Sequence, residues 1–224
     1  MLLSIAGPAY GAPLSAQSHD NVEARIRPIT ARFVERMRQC ARPPAYTPGI
    51  VIDSRPTLIS FYYGDRSIHA SRWSEMPPEV QGMLAEWAAK GTLGLTAEQQ
   101  FAEVFNSLLV PHELGHFAAS LNGRDKAQSF WDGEVYANRV AIAFWRGEPD
   151  GAAAFERRLE NYNRFLDALP RPVPDGEQPR AWFESHYEQL GDNPAAYGWF
   201  QGLFMREARV RAARDEFCAL IAPE

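Results

Sequence analysis

Residues 96–121 read TAEQQFAEVFNSLLVPHELGHFAASL, and the spacing of the apolar side chains in this stretch decides the fold class. Phe101, Phe105 and Leu108 recur at helical intervals, and Thr96 followed three residues later by Gln99 is a capping-box start. His112 and His116 fall on the same stripe, so a helix turns both imidazoles inward, one turn apart. Buried imidazoles without partners are costly, and a metal ion held by both ring nitrogens at ~2 Å satisfies them. The plainer alternative is a pair of core histidines hydrogen-bonded to backbone or carboxylates. Glu113 is rotated by about 100° from His112, beside such an ion rather than on it, where it can take a proton from an activated water. Gly115 inside the helix costs ~1 kcal/mol relative to alanine, which implies a neighbour packed closely against it. Pro111 cannot donate to the carbonyl of Ser107, so a kink or restart is expected just before His112.

Working outward, two histidines leave a zinc site incomplete, because catalytic sites commonly use three protein ligands and a water. The next helical segment carries Trp131-Asp-Gly-Glu-Val-Tyr-Ala-Asn138. Glu134, Ala137, Asn138 and Ala141 share one helical face, and the alanines let that helix approach the first closely. Glu134 is therefore the candidate third ligand, although taken alone it would read as an exposed helix carboxylate. Asp132, its nearest competitor, lies about 200° away around the helix and directly precedes Gly133, where it is expected to cap the helix start.

His-Glu-Leu-Gly-His followed by Glu134-x-x-Ala-Asn138 resembles the gluzincin branch of the zincin metallopeptidases, over about Phe101 to Trp145. The resemblance implies that His112, His116 and Glu134 bind zinc and that Glu113 is the catalytic general base. It also implies a small sheet packed on the active-site helix, with an edge strand that takes extended substrate by strand addition. Asn138 stands where the family often has Asp to orient a ligating histidine through its second ring nitrogen. An amide accepts that hydrogen bond but adds no charge, so a weaker metal site is expected. Tyr197, in Asn193-Pro-Ala-Ala-Tyr-Gly-Trp-Phe-Gln201, is the candidate donor to a developing oxyanion, with core packing as its alternative. His186 and Tyr187 are further candidates for that place, while His69, Asn106, Gln201 and Arg206 receive no role.

The rest of the chain supplies the frame. Apolar residues from Val22 to Met37 repeat at helical spacing, with Pro28 as a bend or start point. Residues 49–54, 57–63 and 67–73 are β-branched and aromatic and are separated by Arg55-Pro56 and Gly64-Asp65, which predicts a small antiparallel meander. Helices are expected over 77–90, 96–121, 127–146, 151–169, 180–190 and 194–220, with the four-proline stretch 170–179 as a linker. The expected fold class is α+β, predominantly helical and zincin-like, in one domain over residues 20–224.

Composition removes several functions. A net charge of −5 and scattered basic residues exclude nucleic acid as the main partner. No apolar run reaches the ~18 residues needed to span a bilayer. Met1–Ala16 resembles the back half of a secretory signal, with small residues around Ala9, Gly11 and Ala12. Export to the periplasm or medium is the expectation from it; a disordered tail on a cytoplasmic protein is the alternative. Export would also favour a disulfide between Cys40 and Cys218, the two cysteines, tying the first helix to the last. The expected function is a zinc-dependent hydrolase of peptide or protein substrates. A non-catalytic zinc-holding scaffold, or a zinc amidase acting on a non-peptide bond such as a cell-wall crosslink, are its rivals.

Overall fold

The computed structural model describes residues 21–223 apart from 56, 92, 93, 127 and 150. The signal-like run Met1–Ala16, together with Pro56 and Ala127, lies outside the described residues. The fold is predominantly helical, with one three-stranded sheet among the described residues. Helix α1, Val22–Gln39, is capped by the Asn21 side chain and buries Ile26, Ile29, Phe33, Val34 and Met37 along one face. Pro28 sits inside this helix on its exposed side and does not start it.

The sheet is mixed, which corrects the expected antiparallel meander. Strands β1 (Gly49–Ile52), β2 (Ile59–Tyr62) and β3 (Ser67–Ala70) stand in the order β1-β3-β2. β2 and β3 form an antiparallel hairpin, and β1 runs parallel to β3 on its far side. Residues 53–55 and 57–58 lie against the end of β3: Ser71 donates its backbone N–H to Leu58 and its hydroxyl to the carbonyls of Asp53 and Arg55. His69 secures the same region, with one ring nitrogen 2.8 Å from Asp53 and the other 2.8 Å from Asp65. Strand propensity and turn residues locate strands but do not say which become neighbours, and here β1 pairs with β3 instead of β2. β2 is left as a sheet edge, packed against the helix that begins at Val110.

Helix α2 (Pro78–Gly91) leads to α3 (Ala97–Glu103), whose capping box between Thr96 and Gln99 is complete. The helix expected over 96–121 is divided. Val104–Leu108 winds as one π turn, in which the Leu109 N–H reaches the carbonyl of Val104, and α4 restarts at Val110–Leu121 with Pro111 in its first turn. The restart falls where the missing N–H of Pro111 requires one. The Trp145 indole N–H takes up the carbonyl of Leu108 at the break.

Helix α5 (Phe130–Arg146) packs against α4. A Cβ added to Gly115 would lie 2.8 Å from the Cα of Ala137, so glycine is what permits this approach. Helices α6 (Gly151–Asp167), α7 (Pro179–Leu190) and α8 (Pro194–Arg211) close the other sides. The single C-terminal helix expected over 194–220 is also divided: Asp215, bonded by both Nε and Nη2 of Arg139, separates α8 from the short α9 (Phe217–Leu220). Cys218 in α9 is disulfide-bonded to Cys40, the residue that ends α1, with a Cα–Cα distance of 5.2 Å. No helix among the described residues is long and apolar enough to cross a membrane.

Candidate metal centre

The restart of α4 and the close approach of α5 bring three side chains to one point. His112 Nε2 lies 3.2 Å from His116 Nε2 and 3.2 Å from Glu134 Oε2, and His116 Nε2 lies 3.5 Å from Glu134 Oε1. His112 and Glu134 are buried, and His116 is partly so. Two imidazole nitrogens and a carboxylate converging at these distances can share a proton or a cation, and as a donor set they fit a metal ion. His112, Glu113 and His116 also form a group able to hold a metal, with ligand atoms within 4.8 Å of one another. Glu113 and Glu134 are thus both within reach of the histidine pair, and their partners separate them. Glu134 Oε1 accepts from the Tyr197 hydroxyl at 2.8 Å and Oε2 from Gln201 Nε2 at 2.8 Å, while both oxygens still face the histidines. Glu113 is turned the other way, its Oε2 accepting the backbone N–H of Phe61 at 2.7 Å. The Phe61 N–H belongs to β2, so the free edge of the sheet fixes that carboxylate.

A cleft of about 260 Å³ opens at the same point. Its polar end is formed by the two histidines, Glu113 and Glu134; Ile59–Phe61 of β2 runs along one wall, and Trp87, Phe165 and Leu166 line its apolar depth.

Burial sets the electrostatics of the metal-free site. It pushes the Glu113 carboxyl up to about 7, with the charge of Glu134 adding and that of His112 opposing. It holds His116 down at about 4 despite Glu134. For Glu134, burial is outweighed by His116, His112 and the Tyr197 hydroxyl, which keep it ionised down to about 2. For His112, burial is outweighed by Glu134 and Glu113, so its pKa is raised. Burial and Glu134 raise Tyr197 well above its ordinary value, so it remains a neutral donor.

No family model, curated protein or solved structure matches this chain.

The sequence-derived candidates His112, Glu113, His116, Glu134, Asn138 and Tyr197 all converge on this centre. Asn138 Oδ1 lies 3.1 Å from His112 Nδ1, the contact expected of it. Tyr197 reaches the centre through Glu134. Gln201 received no role from the sequence, although its spacing four residues after Tyr197 puts it on the same face of α8. His186 lies elsewhere, stacked on Trp182, and Arg206 pairs with Asp167. Asp132 does not cap α5: Ser129 does, and Asp132 lies inside the first turn, paired with Arg180. Ser129 takes the cap because its hydroxyl accepts the Asp132 N–H, which requires Asp132 to be helical already.

These positions rank two variants. Glu134→Ala should weaken metal binding by at least tenfold, since it removes a charged side chain facing both histidines. Asp132→Ala should leave metal binding unchanged and cost about 1 kcal/mol or less of stability, as expected for a partly exposed ion pair near a helix start. A zinc titration of the two variants checks the order, and the opposite ranking would remove Glu134 from the centre.

Proposed function

We propose that this chain is a zinc-dependent hydrolase that cleaves peptide bonds, with a zincin-like arrangement of the gluzincin kind. The observation that carries this reading is the division of labour between two buried carboxylates. Glu134 faces the histidine pair, while Glu113 is held beside it by a sheet edge at the wall of an open cleft.

His112, His116 and Glu134 would hold the zinc, which supplies Lewis acidity that activates water near neutral pH and polarises a carbonyl. Glu113 does the proton work. With Oε2 occupied by the Phe61 N–H, its other oxygen is left to take a proton from the attacking water and return it to the leaving amine. β2 would take extended substrate along its outer edge, next to the Phe61 N–H that holds Glu113, which delivers a backbone carbonyl to the centre rather than a side chain. The apolar depth of the cleft, at Trp87, Phe165 and Leu166, takes a large apolar side chain and excludes water. Tyr197, hydrogen-bonded to Glu134, offers a neutral hydroxyl for a developing oxyanion.

Metal analysis followed by digestion of a peptide library tests this. About one zinc per chain is expected after reconstitution, lost in the His112→Ala, His116→Ala double variant, together with cleavage next to large apolar residues. Absence of zinc from reconstituted protein would overturn the reading. Zinc at full occupancy with no peptide cleaved would leave the metal centre but refute the peptidase.

A further inference from the structure

Four polar side chains around the metal centre form a hydrogen-bond chain that can be written in only one direction. Gln201 Nε2 donates to Glu134 Oε2 at 2.8 Å, so the Gln201 Oε1 atom is turned toward α5 as an acceptor. Asn138 Nδ2 lies 3.4 Å from that oxygen and 3.1 Å from the backbone carbonyl of Glu134. Neither oxygen carries a proton, so Asn138 must present its NH2 to both, and its Oδ1 therefore faces His112 Nδ1 at 3.1 Å. His112 must then carry a proton on Nδ1, and in the neutral ring that a metal would bind, the Nε2 lone pair is turned toward His116 and Glu134. All the atoms involved are within the core: Asn138 is 0% exposed, Glu134 3% and Gln201 7%.

We infer that Gln201 is a positioning residue for the metal centre, and that it acts as one unit with Asn138. Gln201 fixes the rotation of the Glu134 carboxylate, Asn138 fixes the ring of His112, and the contact between their amides makes each orientation depend on the other. This rests on the zinc reading above.

The chain also reverses what the sequence suggested about Asn138. An aspartate there could still accept from His112, but it has no proton for the carbonyl of Glu134 or for Gln201 Oε1. Carboxylate and carbonyl oxygens would face each other, and Gln201 could relieve that only by flipping its amide, which takes Nε2 away from Glu134. The charge gained at His112 is therefore offset by loss of the carboxylate's orientation. Asn is the residue this site requires because it must donate in two directions and accept in a third.

The test is a zinc titration of the full chain against a chromophoric chelator. It compares wild type with Gln201→Met, which keeps the length without the donor, Asn138→Asp, and the double variant. Partners that orient metal ligands in this way are worth roughly 10–100-fold in affinity, and each single variant should lose about that factor. The double variant should be little worse than either single one, because the two residues act as a unit. Cobalt substituted for zinc should show an altered visible absorption spectrum in each variant, while the metal-free proteins keep the wild-type circular dichroism. Gln201→Glu, which also lacks the donor and sets a second carboxylate beside Glu134, provides the same comparison if the methionine variant does not fold. Zinc affinity and cobalt spectra within twofold and unshifted from wild type in Gln201→Met would overturn the inference alone. So would an Asn138→Asp protein that binds zinc as tightly as wild type or tighter. A wild-type chain that takes up no zinc would overturn the metal reading itself, and the inference with it.

Discussion

Replacing Glu113 by Gln should lower turnover by roughly 100-fold or more while leaving zinc content unchanged, because the amide fills the same space but cannot accept a proton. The contact with β2 should survive, since the amide oxygen can still accept the Phe61 N–H. The same substitution should stabilise the metal-free protein, and the sign follows from the direction of the shift. The ordinary carboxyl value is 4.5, and burial raises it to about 7 in the fold. Between those values the folded state holds a proton that the unfolded state has released. Stability from this group therefore falls as pH rises from about 4.5 to 7 and is fully lost above 7. Glutamine has no charge to bury, so the metal-free variant should exceed wild type by about 1–3 kcal/mol at pH 8 and show little difference at pH 4. Paired denaturant melts at the two pH values, alongside a peptide-cleavage assay, check both halves. Retained activity would move the base elsewhere, and a destabilised variant at pH 8 would mean that Glu113 is not held as the structure has it.

Removing the disulfide should produce the largest loss of stability. Cys40 and Cys218 are 178 residues apart, and closing a loop of that length removes about 5 kcal/mol of unfolded-chain entropy by the loop-closure argument. Each kcal/mol shifts the melting temperature of a chain of this size by about 2–4 °C, so the Cys40→Ser, Cys218→Ser double variant should melt about 10–20 °C lower. Wild type in strong reductant should fall by a similar amount, and native unreduced protein should resist thiol labelling. Equal melting temperatures with and without reductant would remove the crosslink from the account.

What could be read in the sequence, and what could not, divides along the range of the interactions involved. The capping box at Thr96, the break before Pro111 and the inward face of His112 and His116 depend on residues a turn or two apart, and the structure has all three. That Asn138 would reach one of the histidines was implied by the family resemblance, and the close approach of Gly115 and Ala137 makes His112 the one it meets. The order β1-β3-β2 was not, since Asp53, Arg55 and Leu58, between β1 and β2, are held by contacts to Ser71 and His69 more than a dozen residues away. Gln201 escaped for a similar reason. A glutamine on a mixed helix has no pattern of its own, and its role exists only once α8 is laid across α5. Asp132 was misplaced because aspartate and serine are both good caps, and only the backbone says which of them is still outside the helix.

The crosslink between α1 and α9 has one more consequence. It makes residues 40–218 a covalent ring, so a single backbone cut anywhere inside it yields two pieces that stay joined. A preparation nicked once within the ring by an added protease would keep its full mass on a non-reducing gel. It would separate into fragments only after reduction.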